Sequence, residues 1–382
     1  MQKETLIKLT QLRQNLHQNP ERSGLEFKTS ETIVSFLEKY NPFEIIHPIG
    51  GTGIIAVFKG INAGPTTLFR CELDALPIQE INNFEYKSTT KGVSHKCGHD
   101  GHSAILCGVA SLLSDDTTFS GTIYLLFQPS EEDGEGAKKI INDSLFKDVK
   151  PDFVFALHNL PSYPLGQIVV KNHTFSCAVN SMIIELSGKT AHAAEPHNRI
   201  NPANAISKII STLDNKIQSD ITRADYCLIT PIYINMGKKA YGVSAGFGEI
   251  HFTFRSNSNQ NMDKIEKELV ECVAEIANQE NLQSKISWTQ QFRANENNHE
   301  AVSFIRKIAV KNGFDLVEKE TPFSWGEDFG LFTEHFSGAM FGLGAGENIP
   351  ALHNPDYDFP DELIPIGSKI FYELIKEIHH AQ

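Results

Sequence analysis

Six cysteines in 382 residues, at positions 71, 97, 107, 177, 227 and 272, are too few and too scattered for a disulfide framework. That excludes a stapled secreted scaffold and, in a reducing compartment, leaves Cys97 free to act as a thiolate ligand. No apolar run reaches the ~18 residues of a membrane-spanning helix, so no membrane partner is expected. The first twenty residues, "MQKETLIKLTQLRQNLHQNP", space their apolar side chains at 6, 9, 12 and 16 like an amphipathic helix and lack the unbroken apolar core of a signal peptide. A cytoplasmic location is the expectation that follows. Positive charge is also scarce: 34 basic against 47 acidic residues leave a net charge of −13, without the basic face that phosphate backbones require, so no nucleic-acid partner is expected. Internal repeats and low-complexity tracts are missing too. What remains, 40% hydrophobic and 21% charged residues, is the composition of an ordinary globular protein, long enough for two domains or for one large domain carrying an insertion.

From residue 53 to 158, short β-rich runs ("GIIAVF", "TTLFRCEL", "GTIYLLFQ", "FVFALHN") alternate with helical or loop stretches. This predicts an α/β fold, a mostly parallel sheet flanked by helices, in which binding groups gather beyond the carboxyl ends of the strands. Those ends are ionisable here: "RCELD", "FQPSEEDGEG" and "FALHN" each pass from apolar to charged or imidazole side chains. After "YPLGQI" the runs "VNSMIIELSG", "INPANAISKIISTLDNKI", "LITPIYINMG", "FGEIHFTFRS", "MDKIEKELVECVAEIANQ" and "SKISWTQQF" follow a β-α-β-β-α-β order, the ferredoxin-like arrangement. Residues 176–292 are therefore expected to form an inserted α+β domain. Residues 1–175 and 293–382 form the discontinuous larger domain, with α/β alternation resuming in "EAVSFIRKIAVKNGF", "GAMFGLG" and "FPDELIPIGSKIFYELIKEIHHA".

Residues 95–102, "HKCGHDGH", concentrate three histidines, a cysteine and an aspartate ahead of the aliphatic "SAILCGVASLL", which reads as a helix packed on the sheet. Thiolate and imidazole groups two positions apart at a strand end can face one zinc-type ion, and Cys97 and His99 fit that geometry; a buried cysteine beside surface histidines is the plainer alternative. In "QPSEEDGEG", Glu131 and Glu132 are adjacent at the end of an apolar strand. One carboxylate can then bind metal while its neighbour serves water as general base, the alternative being a solvated acidic loop. His158 in "FALHNLP" and His353 in "PALHNPDYDFP" both follow apolar stretches. Together these segments offer one thiolate, three imidazoles and one or two carboxylates, enough for two metal ions.

In chain order, "HKCGHDGHSA", "LFQPSEEDGEGAKKII", "ALHNLPSYPLGQI", "GKTAHAAEPHNRINPANA", "SWGEDFGLF" and "LHNPDYDFPDELI" resemble the motifs of the aminoacylase and carboxypeptidase-type dinuclear metallopeptidases. Within them the resemblance is to the branch of hippurate hydrolases and indoleacetyl-amino-acid amidohydrolases, and it runs from the N-terminal helix to the last one. It implies that Cys97, His99, Glu132, His158 and His353 hold two divalent ions, zinc or manganese with cobalt or nickel as alternatives, and that Glu131 is the catalytic base. It further implies that His192, in "GKTAHAAEP", reaches an active site, often the partner subunit's, to steady the oxyanion. Asp74 and Asp100 are then groups that orient ligand imidazoles, Arg255 binds a substrate carboxylate, and the inserted domain is a lid that mediates homodimerisation. The implied reaction is hydrolysis of the amide bond of an N-acyl amino acid or similar small conjugate by metal-activated water. A dipeptidase or aminopeptidase is the rival within the family. The rival outside enzymology is a non-hydrolytic metal-dependent protein that holds a metabolite, which would need no base beside Glu132.

Two stretches depart from the family pattern. Lys96 stands where a small residue is usual, and Gly242-Val243-Ser244-Ala245 replaces an Asn-Val-Ile-Pro segment, so the lid asparagine that helps bind substrate is missing. Arg255 matches the family arginine, with a structural ion pair as the alternative role.

Overall fold

The structure, a computed structural model, describes residues 1–116 and 118–380. The chain folds as two compact units. One comprises Met1–Phe175, Asn295–Glu320 and the segment from Asp328 onward; the other comprises Ser176–Ala294 with a short excursion, Thr321–Glu327.

The first unit is built on an eight-stranded sheet. Its four middle strands, Thr122–Gln128, Thr66–Glu72, Phe153–Pro161 and Gly338–Gly346, run parallel. They are buried almost end to end, as expected where helices cover both faces of a parallel sheet. One margin is antiparallel: Gly53–Lys59 pairs with Thr122–Gln128 and turns through Gly50 and Gly51, both at positive φ, onto Glu44–Ile49. At the other margin Ile168–Val170 runs antiparallel to Gly338–Gly346 and parallel to Leu316–Glu318. Of these marginal strands only Gly53–Lys59 was legible beforehand, as "GIIAVF"; the others were not, because three residues carry no periodicity and Glu44–Ile49 has only one buried residue and is interrupted by Pro48. Helices Lys3–Gln18 and Leu363–His379 pack on helix His99–Ser114, joining Leu9, Leu12 and Leu16 to Ala104, Ile105, Leu374 and the sheet in one apolar core. Helix His299–Asn312 is delimited by local chemistry: Asn298 accepts from the Glu300 and Ala301 N–H groups at its start, and Gly313, at φ +67, ends it. Among the described residues no helix is long and apolar enough to cross a membrane.

The second unit is a four-stranded antiparallel sheet in the order Leu228–Met236, Phe247–Ser256, Ala178–Ser187, Gln283–Phe292. Helices Ala203–Asp214 and Asn259–Gln279 lie between strands in sequence, which completes the ferredoxin-like order. Alternation decides its buried face. In Phe247–Ser256 every second side chain is buried, so Ile250, Phe252 and Phe254 join Met182, Ile184, Ile209, Leu269 and Val273 in a separate core. Leu228–Met236 forms an edge whose outer stretch leaves Ile232, Tyr233, Ile234 and Met236 exposed.

Candidate metal centre

Four segments of the first unit deliver the ionisable groups, all beyond or near the carboxyl ends of its parallel strands. Gly98, at φ +99, separates Cys97 from His99, the first residue of helix His99–Ser114. A Cβ at position 98 would lie 2.6 Å from Asn159 Oδ1, so only glycine lets the chain make this turn. His99 therefore belongs to the helix rather than to a loop ahead of it. His158 likewise lies inside strand Phe153–Pro161, not after it. Glu131 and Glu132 follow Ser130, whose φ is +55, and the turn is tied down by main-chain donors: Ser130 N to Glu26 Oε1 (2.9 Å) and Glu132 N to Asp74 Oδ2 (2.9 Å). His353, at φ +66, sits in the loop after Gly338–Gly346 and donates its N–H to the Lys96 carbonyl (2.8 Å).

These residues converge. The ligand atoms of Cys97, His99 and His158 all lie within 4.8 Å of one another, as do those of Cys97, Glu132 and His353, and those of His99, Glu131 and Glu132. Cys97 Sγ is 3.4 Å from His158 Nε2, His353 Nε2 is 3.7 Å from Glu132 Oε1, and His99 Nε2 is 3.9 Å from Glu131 Oε2 and 4.0 Å from Glu132 Oε1. His99 Nε2 is buried and has no hydrogen-bond partner among the described residues, an arrangement that costs free energy unless something fills the gap. A cation would do so, and a set of one thiol, three imidazoles and carboxylates is the donor chemistry of zinc-type sites.

Electrostatics point the same way. Burial and the nearby carboxylates of Glu132 and Glu131 push the Cys97 thiol well above its ordinary value. Burial lowers His158 to about 3, with His102 adding to the effect. Its Nδ1 donates to the Asn159 carbonyl (2.9 Å), which leaves the Nε2 lone pair facing Cys97. Burial also opposes charge on His99, but the bond to Asp74 and the carboxylates of Glu72 and Glu132 outweigh it and raise the ring to about 10. A cation at such a group takes the place of a proton.

The surrounding partners are partly those the resemblance implied. Asp74 faces His99 Nδ1 through its carbonyl (3.0 Å) and Oδ1 (3.2 Å), and Oδ2 receives Ser23 Oγ at 2.7 Å. Asp100 is different. Its carboxylate meets no ligand ring; it accepts from His17 Nδ1 (2.8 Å) and lies 3.6 Å from Arg13 Nη1. Instead of orienting an imidazole, it ties the N-terminal helix to helix His99–Ser114.

A further buried network escaped the sequence reading. His102 Nδ1 is 2.6 Å from Glu72 Oε2, its Nε2 accepts from Asn159 N (3.2 Å), and Arg70 joins Glu72 to Asp328, which Gln128 also contacts at 2.8 Å. The signals were present: an arginine inside an apolar strand run, and a third histidine one helical turn after His99. Arg13 and His17 lie four residues apart beside the apolar stripe of the first helix and are fully buried.

In the second unit His192 belongs to a two-residue strand, Ala191–His192, paired with Val243–Ser244. The segment that replaces the family's asparagine is thus the main-chain partner of His192, and Gly242 O accepts from Ala193 N (2.9 Å). Ala194 N donates to His192 Nδ1 (3.1 Å), so Nδ1 is the accepting nitrogen and Nε2 the one that carries hydrogen on this exposed residue. Arg255 donates to the Ser324 carbonyl at 2.7 Å and has no carboxylate partner among the described residues, so the ion-pair alternative finds no support here.

Residues 68–377 match the model of peptidase family M20/M25/M40. The chain belongs to this family. Among its relatives, the N-acetylcysteine deacetylase of Bacillus subtilis is 30% identical over 369 residues, 96% of each protein. The hippurate hydrolase of Campylobacter jejuni is 30% identical over 366 residues, 95% of this chain and 94% of that one. The YXEP protein of Bacillus subtilis, described as a dinuclear metal binding peptidase from the M20 family, superposes with a TM-score of 0.84 at 28% identity over 100% of both chains. The M20 fold of this chain, catalytic sheet and inserted unit together, is therefore that of a dinuclear metal-binding peptidase family.

Proposed function

We propose that this M20 family member is a metal-dependent amidohydrolase that cleaves the amide bond of N-acyl amino acids or similar small conjugates. The observation that carries the reading is the pair of adjacent carboxylates, Glu131 and Glu132, both at salt-bridge range of the unpartnered His99 Nε2. A protein that only stored metal would need one of them. The relatives that deacetylate N-acetylcysteine and hydrolyse hippurate support the substrate class.

In this reading Cys97, His99, Glu132, His158 and His353 hold two divalent ions. The soft thiolate favours zinc, and manganese is the other main candidate. Bound cations supply Lewis acidity, which acidifies water and polarises a carbonyl. Glu131 takes the proton of the attacking water and passes it to the leaving amine. His192, whose Nε2 carries the hydrogen, donates to the oxygen on which charge develops. Arg255 receives the carboxylate of the amino acid, and Asp74 keeps the His99 ring in place. The enzyme works as a homodimer, supported by the exposed apolar edge Leu228–Met236, which a second copy would cover. A cytoplasmic location is supported by six free cysteines, one of them a ligand that air would oxidise.

The deciding experiment assays freshly purified protein, kept reduced and supplied with zinc or manganese, on panels of N-acyl amino acids and of dipeptides, alongside elemental analysis. Release of amino acid from the acyl panel with about two metal ions per chain is the expected result. Cleavage of dipeptides alone would move the protein to the aminopeptidase reading, and metal uptake without turnover to that of a binding protein.

A further inference from the structure

Lys96 precedes the thiol of the candidate centre, and its side chain is completely buried. Its ammonium lies 2.5 Å from Glu80 Oε1, 2.7 Å from the Tyr357 carbonyl and 3.2 Å from Asn82 Oδ1. Its own carbonyl accepts the His353 N–H at 2.8 Å. One residue thus grips both ends of the turn 353–357, His353 by its main chain and Tyr357 by its side chain. The same turn meets the 80–82 segment, where Ile81 N donates to Pro355 O (3.1 Å) and Asn82 Nδ2 to Asp356 O (2.9 Å). His353 holds a left-handed φ of +66, a conformation that a non-glycine residue keeps only where its surroundings over-determine it.

We propose that Lys96 is a positioning residue that sets the affinity of the Cys97–Glu132–His353 subsite for its cation. The proposal rests on the reading that these residues and their neighbours hold a metal pair. Lys96 is covalently next to one ligand of that triad and hydrogen-bonded to another, so it fixes the spacing between thiol and imidazole. The Cys97–His99–His158 triad shares only Cys97 with it and is braced elsewhere, by Gly98, Asp74 and Asn159. Removing the ammonium leaves Glu80 still bonded to His17 Nε2 (3.0 Å) and to Ser88 N (2.6 Å), so no carboxylate is stranded.

The test is a calorimetric titration of chelator-stripped full-length protein with Mn2+, and again with Zn2+, for wild type, Lys96→Met and Lys96→Arg. Wild type is expected to take up two ions per chain. Lys96→Met should bind one equivalent as wild type does and the other about 10- to 100-fold more weakly, the usual cost of losing a group that holds a metal ligand in place; Lys96→Arg, which keeps donors for Glu80 and Tyr357, should recover most of the loss. Unchanged affinities for both equivalents in Lys96→Met, with only a lower Tm, would overturn the proposal and leave Lys96 a structural residue. Fewer than two ions on wild type would instead overturn the metal-pair reading beneath it. Should Lys96→Met fail to fold, Lys96→Gln, which retains a donor, is held to the same split between equivalents.

Discussion

The ionisable groups of the two units are handled in opposite ways. In the first unit Cys97, His99, Glu131 and His158 are buried, and the groups around them are braced by side chains from distant segments: Asp74 on His99, Glu72 on His102, Lys96 on the His353 turn. In the second unit His192 is exposed and Arg255 half-buried, and among the described residues each is hydrogen-bonded to a main-chain atom, Ala194 N and Ser324 O. Burial makes the first set costly to assemble and rigid once assembled, so it keeps its geometry before substrate or cation arrives. The second set costs little to build and becomes strong only where water is excluded around it. Substitutions in the first unit should therefore act on metal, base chemistry or stability, and those in the second on turnover or association alone.

The largest expected effect is at Glu131. Glu131→Gln should cut kcat by about a thousandfold or more while metal content stays at the wild-type value; an active variant would remove the base from Glu131 and erase the functional side of the contrast. Next, His192→Ala should lower kcat by roughly 10²- to 10³-fold with little change in KM or Tm, and an undiminished kcat would mean that the exposed histidine adds no oxyanion donor. The third probe concerns pH. Burial opposes protonation of His17, but its bonds to Asp100 and Glu80 raise it to about 9. Because the folded value lies above the ordinary 6.5, its contribution is complete below pH 6.5 and fades as pH rises through about 9. Denaturant unfolding of wild type should accordingly lose roughly 3 kcal/mol across that window relative to His17→Gln, and parallel curves would show that His17 gains nothing from its carboxylates. Smallest is the edge strand: Ile234→Lys should weaken self-association by about tenfold or more in sedimentation equilibrium without altering the fold, whereas unchanged association would place any dimer contact elsewhere.

How much of this was legible varies with the physical origin of each feature. The long parallel strands and the ferredoxin-like order announced themselves through apolar runs and alternation, since burial on one or two faces writes directly into residue type. The two ends of the candidate site, "HKCGHDGH" and "QPSEEDGEG", stood out because such groups are seldom placed after apolar strands without reason. Asp100 was misjudged because adjacency to His99 in sequence says nothing about direction: one helical step turns its carboxylate toward Arg13 and His17. Glu72 and Arg70, in one strand, and His102, in the helix, were overlooked because such groups look solvated until their partners, 30 or 258 residues away, are known. The role of Lys96 was unreadable for the same reason, as its acceptors come from residues 80, 82 and 357.

Residue types and their spacing determined that this chain folds as an α/β protein with an α+β insertion and carries a thiol, imidazoles and paired carboxylates at strand ends, and its ordered motifs carry the resemblance to the dinuclear metallopeptidases. Tertiary structure alone decided which of those groups meet. Hydrogen bonds and ligand contacts act over a few ångströms, while the residues that make them lie up to several hundred positions apart, and only the pairing of the strands into the sheet and the packing of the N- and C-terminal helices on His99–Ser114 bring them within that range.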